Sequence, residues 1–240
     1  MSPKGTTVYA VGLPDGAPVQ IAQGKVMALW AGNFVVVTTM TKSGKLSRVL
    51  LVDPSTGESK QLPVCGMVSA GLPDGTFLMG GDPSALEAPV SLAKAVGQGR
   101  LLHIDSAGKV LADIAPIGIV SSPPVVSKNG KFIAFQSKPA DAPEGPNTRY
   151  GFTVLSVDGT SRQQQDMPCF PVAVMDDGSA VAMKCEFDER NTAPLCLVSS
   201  DGQTIKDIGR AVSAAVMGES LIYASNTDRP TIKTMSLAKE

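Results

Sequence analysis

Short apolar runs alternate with tight-turn signals along nearly the whole chain. Phe34-Val35-Val36-Val37-Thr38-Thr39, Val49-Leu50-Leu51-Val52, Leu101-Leu102-His103-Ile104 and Phe132-Ile133-Ala134-Phe135 are almost continuously apolar and rich in β-branched or aromatic residues. Short runs of this kind, bounded by turns, predict strands covered on both faces. Two sets of turns alternate between the runs. Ala31-Gly32-Asn33, Pro73-Asp74-Gly75, Lys128-Asn129-Gly130, Asp176-Asp177-Gly178 and Met217-Gly218-Glu219 predict bends between inner strands. Pro14-Asp15-Gly16, Pro54-Ser55-Thr56-Gly57, Asp105-Ser106-Ala107-Gly108, Val157-Asp158-Gly159 and Ser200-Asp201-Gly202 predict bends between outer strands. The turns supply Gly or Asn where a tight hairpin needs positive φ at little steric cost.

The paired pattern returns every roughly 40–55 residues, the length of one four-stranded propeller blade. The expected fold is therefore all-β: a five-bladed β-propeller of four-stranded antiparallel blades in one domain. The blades span about 25–64, 66–116, 117–168, 169–210 and 211–240. The last blade holds only three strands, ending with Thr231–Leu237, so segment 6–22 is expected to supply the missing outer strand and close the ring. Closure would protect sheet edges that otherwise invite pairing with other chains. The segment reads as a hairpin around Asp15-Gly16, one strand more than closure needs. A two-sheet sandwich also uses many hairpins, but two alternating turn sets at a blade-sized repeat favour the propeller.

Unit three carries the clearest family signal. Ser122-Pro123, then Asn129-Gly130-Lys131-Phe132-Ile133-Ala134-Phe135, then Val157-Asp158-Gly159, resembles the TolB-type β-propeller repeat, a WD40-like unit. Unit four repeats it more loosely through Pro171, Asp177-Gly178, Val181-Ala182-Met183 and Ser200-Asp201-Gly202. Unit two keeps Pro73-Asp74-Gly75 and Asp105. The resemblance implies four-stranded blades and binding of proteins or ligands, or service as an accessory domain of an enzyme. Its motifs specify turns rather than chemistry, and a sixth blade has no matching residues.

Composition narrows the partners. Lys plus Arg number 21 against 22 acids, so no basic field attracts phosphates, and nucleic acid is not an expected partner. Aromatic residues are only 5%, too few for base-stacking platforms. No apolar run approaches the ~18–20 residues that span a bilayer, so no membrane insertion is expected. Met1 to Gly5 shows no basic stretch followed by an apolar core, so no signal peptide is expected there.

In a four-stranded meander, both hairpin classes lie at one end and the connections between second and third strands lie at the other. The long segments, Gly81–Gly99, Ser137–Tyr150 and Glu186–Pro194, all belong to the second class. Long loops on a rigid scaffold are where binding residues collect. The expected binding residues are Asp82, Glu87, Lys138, Asp141, Arg149, Tyr150, Glu186, Asp188 and Arg190. Ser84 and Glu87 have capping-box spacing ahead of Leu86, Val90, Leu92 and Val96, and Pro89 limits any helix to a turn or two. That insert reads either as a lid on a blade edge or as a docking element. The acids of 186–189 could help hold Ca²⁺, but the spacing is not that of a calcium loop and no metal is expected.

Catalytic signatures are missing. His103 is the one histidine and sits in an apolar run. Any Ser-His-Asp triad would have to use it. There is no Gly-x-Ser-x-Gly elbow and no zinc motif. Lys42-Ser43-Gly44-Lys45 lacks the first Gly and the hydroxyl residue of a phosphate loop. The inner-strand segments contain no Asp or Glu, which argues against a funnel glycosidase with paired carboxylates. No cofactor and no catalytic residue are assigned, and a protein partner is the expected ligand. A hydrolase or lyase using loop carboxylates (Asp82, Asp141, Glu186, Asp188) and a structural subunit are the alternatives. Among the cysteines, Cys185 and Cys196 face each other across a predicted hairpin, with Cys169 nearby. They read either as a disulfide or as buried thiols. A bridge would suit the periplasm or the extracellular space.

Overall fold

The computed structural model describes residues 6–11, 16–24, 26–95, 100–116, 124–137, 151–160, 162–165, 169–203, 205–225 and 231–237. Among the described residues, the strands pair antiparallel between chain neighbours. Strands β1 (Thr6–Ala10) and β2 (Val19–Gly24) form a hairpin of their own. The first four-stranded sheet is β3 (Val26–Ala31), β4 (Phe34–Met40), β5 (Leu46–Val52) and β6 (Ser59–Cys65). The second is β7 (Met67–Gly71), β8 (Phe77–Gly81), β9 (Arg100–Ile104) and β10 (Val110–Pro116).

The third sheet is β11 (Val125–Val126), β12 (Phe132–Ser137), β13 (Gly151–Ser156) and β14 (Arg162–Gln165). The fourth is β15 (Cys169–Val174), β16 (Ala180–Lys184), β17 (Ala193–Val198) and β18 (Ile205–Ala211). The fifth, β19 (Ser213–Met217), β20 (Ser220–Ser225) and β21 (Thr231–Ser236), has three strands. Strands β1–β10 belong to one compact unit and β11–β21 to a second.

The predicted turns are where the meanders bend. Gly32, Gly75, Gly130, Gly178 and Gly218 take positive φ between first and second strands, and Gly57, Gly108, Gly159 and Gly202 do so between third and fourth. Pro14-Asp15 lies outside the described residues. The N-terminal segment and the last sheet belong to different compact units. β1 pairs with β2 along its whole length, and the fifth sheet keeps three strands.

In the first unit, Val36, Val49, Leu51, Leu62 and Val64 of one sheet bury against Val68, Phe77, Met79, Leu102 and Ile104 of the next. The opposite face of the first sheet, through Val35, Val37 and Val52, is covered by Ile21 and its neighbours in the β1–β2 hairpin. Thr38 stitches the two sheets: its hydroxyl donates to Gly66 O at 3.1 Å and accepts from Val68 N at 3.1 Å. The second unit repeats the stacking. Ala134, Phe152 and Val154 pack on Cys169, Ala182 and Cys196, and Val181 and Leu195 pack on Leu221, Val216 and Tyr223. Each large side chain buried in this way stabilises by about 1.5–3 kcal/mol.

Candidate functional site

The β8–β9 connection folds back on its own unit. Leu46 and Val90 exchange backbone hydrogen bonds at 2.8 and 3.0 Å, and Val90 and Ala95 bury against Leu46, Met40 and Met67. The lid reading of this insert is therefore the observed one. Its single helical turn starts after Ser91, whose hydroxyl accepts from Lys94 N at 3.2 Å and whose carbonyl accepts from Ala95 N at 2.9 Å. The expected cap at Ser84 is thus displaced to Ser91. Ser84 instead turns back to Asp82, donating its N–H at 3.0 Å and its hydroxyl at 2.6 Å. Lys94 closes on the other oxygen of Asp82 at 2.6 Å. Hydrogen bonds from Lys94 and Ser84 hold the Asp82 carboxyl down to about 2. Glu87 is exposed, and its carbonyl accepts from the Cys65 thiol at 3.4 Å. Leu86 is half-buried while Leu92 is exposed, so the expected apolar stripe is broken. Val96 lies outside the described residues.

Lys138, Asp141, Arg149 and Tyr150 also lie outside the described residues. The β16–β17 loop is described in full. Asp188 is its hub. One carboxylate oxygen accepts from Arg190 N at 3.0 Å and Thr192 N at 2.8 Å. The other accepts from the Thr192 hydroxyl at 2.6 Å and from Arg210 Nε at 3.0 Å. Arg210, at the end of β18, also donates to Glu186 O at 3.1 Å and Thr192 O at 2.6 Å. The Thr192 hydroxyl and N–H, ahead of the Arg210 charge, pull the Asp188 carboxyl down to about 2. Asn191 takes the left-handed conformation, φ 57°, that lets the loop turn back. The loop presents Glu186, Phe187, Glu189 and Arg190 on its exposed side, with Phe187 47% exposed.

Arg210 was not legible as part of this loop, because only the pairing of Pro194 with Arg210 brings it there. Asp82 and Asp188 fall in different compact units, and each is spent on holding its own loop. Among the described residues, no three or more His, Cys, Asp or Glu side chains gather as metal ligands. The first strands of the sheets carry no carboxylate over their described lengths.

The cysteines are free thiols, so the Cys185–Cys196 bridge is not formed. The register explains this: Cys196 lies opposite Ala182, not Cys185, which falls beyond the end of β16. Cys196 meets Cys169 instead. Cys169, on β15, lies opposite Lys184 of β16 and packs in the same buried cluster as Cys196. The hydrogen bond with Cys196 and burial hold the Cys169 thiol protonated. His103 reaches the Thr76 hydroxyl at 2.7 Å, and that hydroxyl contacts Asp74 at 2.7 Å. With Thr76 donating to Asp74, the imidazole donates from Nε2. Burial pushes the His103 pKa down. Lys42–Lys45 is a tight turn in which Gly44 N donates to Thr41 O at 3.0 Å, not a cradle of amides facing an anion.

These sheets define an all-β protein of the propeller type. Among solved structures, the β-propeller domain of the Trilobed protease from Pyrococcus furiosus, of open velcro topology, is similar over 98% of this chain and 75% of its own. The identity is 12% and the TM-score 0.62. TolB from Acinetobacter baumannii is similar over 96% of this chain at 12% identity and a TM-score of 0.53. This chain spans 57% of that TolB. An oligogalacturonate lyase from Vibrio parahaemolyticus matches over 97% of this chain and 72% of its own, at 10% identity and a TM-score of 0.58. No family model matches the sequence, and no curated protein matches it. At these identities the likeness is one of fold. No described helix is long and apolar enough to cross a membrane.

Proposed function

We propose that the chain is a non-catalytic binding module, five blade-like units of a β-propeller that engage a protein or cell-envelope partner through the loops between second and third strands. The observation that carries this reading is the β16–β17 loop. Asp188, Thr192 and Arg210 fix its backbone, so little ordering entropy remains to be lost on binding. Phe187 stands exposed on that fixed loop, beside Glu186, Glu189 and Arg190. An aromatic anchor within a charged rim is the usual make-up of an interface hot spot. Lys138, Asp141, Arg149 and Tyr150 fall in the corresponding connection of the third unit by their sequence positions and are proposed as further contacts.

A lyase and protease-associated propellers share the fold, so a carboxylate enzyme is the competing reading. Asp82 and Asp188 speak against it. The oxygens of both already accept from nearby donors, Ser84 and Lys94 for Asp82 and Arg190, Thr192 and Arg210 for Asp188, and a general base needs an oxygen within reach of a substrate proton. The deciding experiment compares wild type, Phe187→Ala and a chain with 137–150 replaced by a short turn in quantitative affinity capture from native lysate. A species enriched by wild type and lost from either folded variant is expected. Partners that persist with both variants, or turnover of glycan or ester substrates that Asp188→Asn abolishes, would reject the binding-module reading.

A further inference from the structure

We propose that the open edge of β21 accepts an extended strand from a protein partner, added antiparallel, with an apolar residue on one face and a carboxylate on the other. The reading is independent of the loops above. Four sheets carry a fourth strand, β6, β10, β14 or β18; the fifth has none among the described residues. The third strands of the first, second, third and fourth sheets are largely buried. β21, their counterpart, is exposed at every position but Met235.

The ladder shows which backbone groups face outward. Leu237 N donates to Glu219 O at 2.7 Å, and the register pairs Met235 with Leu221 and Lys233 with Tyr223. Antiparallel pairing alternates, so the odd-numbered residues bond to β20. Ile232 and Thr234 therefore direct their N–H and C=O groups to the open side. The Ile232 side chain is 78% exposed.

Two of the four fourth strands, β10 and β18, carry an acid and describe what fits such an edge; β6 and β14 carry none. β10 reads Leu111-Ala112-Asp113-Ile114 and β18 reads Ile205-Lys206-Asp207-Ile208, the same acid-apolar step at the same place. Asp113 pairs with Arg100 of the adjacent third strand, and Asp207 lies 3.8 Å from Lys184. On β21 the cation is Lys233, which is exposed. A lysine on an edge repels a second copy of the same edge and favours an acidic strand. Within the chain, β1 already pairs with β2.

The test uses a fluorescein-labelled hexapeptide with the sequence of residues 110–115 and the full chain, read by anisotropy. Saturable binding is expected. Thr234→Pro removes an outward N–H and leaves the β20 ladder intact, so binding should weaken about tenfold or more, whereas Thr234→Val should stay within about twofold. Replacing the peptide's Asp by Lys should weaken binding about threefold or more. Amide exchange reads the same edge in wild type: the peptide should slow Ile232 and Thr234 but leave Thr231 and Lys233 unchanged. This second readout stands even where Thr234→Pro fails to fold. Absence of saturable binding, equal binding by a folded Thr234→Pro chain, or protection on other strands overturns the proposal. So does a concentration-dependent dimer that Thr234→Pro abolishes, which would assign the edge to a second copy.

Discussion

Arg210 shows how much one side chain holds. Its guanidinium fork reaches a carboxylate, a hydroxyl and two carbonyls of one loop. An ammonium group cannot span that set. Arg210→Lys should therefore accelerate amide exchange over residues 186–192 and lower the thermal midpoint modestly, leaving exchange in β3–β10 unchanged. The acid side follows from Asp188, whose folded value of about 2 lies below the unfolded 3.8. Its contribution is complete above about pH 4 and is lost as pH falls from there towards 2. His103 acts in a separate window. Burial depresses its folded pKa below 6.5, so the unfolded chain takes up the proton first. Stability should fall as pH drops below about 6.5 and level off beneath the folded value. As it is the only histidine, urea midpoints at pH 7.5 and 5.5 for wild type and His103→Gln isolate the effect. A slope unchanged by the substitution would remove His103 as its cause.

Turns and strands pack as closely as single residues allow. A Cβ on Gly71 of β7 would come within 1.8 Å of Trp30 O on β3, backbone against backbone. Gly71→Ala should cost about 2 kcal/mol or more in urea unfolding, with the two first strands forced apart. Asn129 binds one inner turn to the next: its N–H donates to Asp176 Oδ1 at 2.7 Å and its Nδ2 to Asp176 O at 3.2 Å. Asn129→Asp replaces that second donor by a carboxylate facing a carbonyl and a second acid. The variant should melt lower than wild type at pH 7, with the gap narrowing near pH 3.

The turns were legible because glycine at positive φ is a local requirement, as at Gly75, Gly130 and Gly178. The strands were legible because both faces are buried, as in Ile133-Ala134-Phe135. Loop roles were not. Asp82 and Asp188 have the sequence context of exposed acids, and only Lys94 and Arg210, fixed by tertiary register, turn them into internal staples. The cysteine alternatives stayed open for the same reason, since only the register shows that Cys196 lies opposite Ala182 rather than the thiol that follows β16.

Within each unit, stability comes from sheet faces stacked on sheet faces, and a face covered only by a hairpin is the vulnerable one. Hairpin β1–β2 covers Val35, Val37 and Val52 of the first sheet, while Trp30 and Met27 on β3 stay exposed. Sequence alone cast this hairpin as a closing strap joined by hydrogen bonds to a remote strand. On the first sheet its packing gives it the role of a cover, holding by apolar contact. The two roles predict different losses. Removing residues 1–24 uncovers three buried valines, at about 1.5 kcal/mol each, or about 4–5 kcal/mol together. That is a large part of the ~5–15 kcal/mol typical of a domain. The shortened chain should bind an apolar dye and melt far below wild type, and exchange should rise first at Val35–Val37. A strap would instead raise exchange first along β21 and leave Val35–Val37 protected. Residue-resolved exchange on the truncated chain separates the two, and protection retained at Val35–Val37 would reject the covering role.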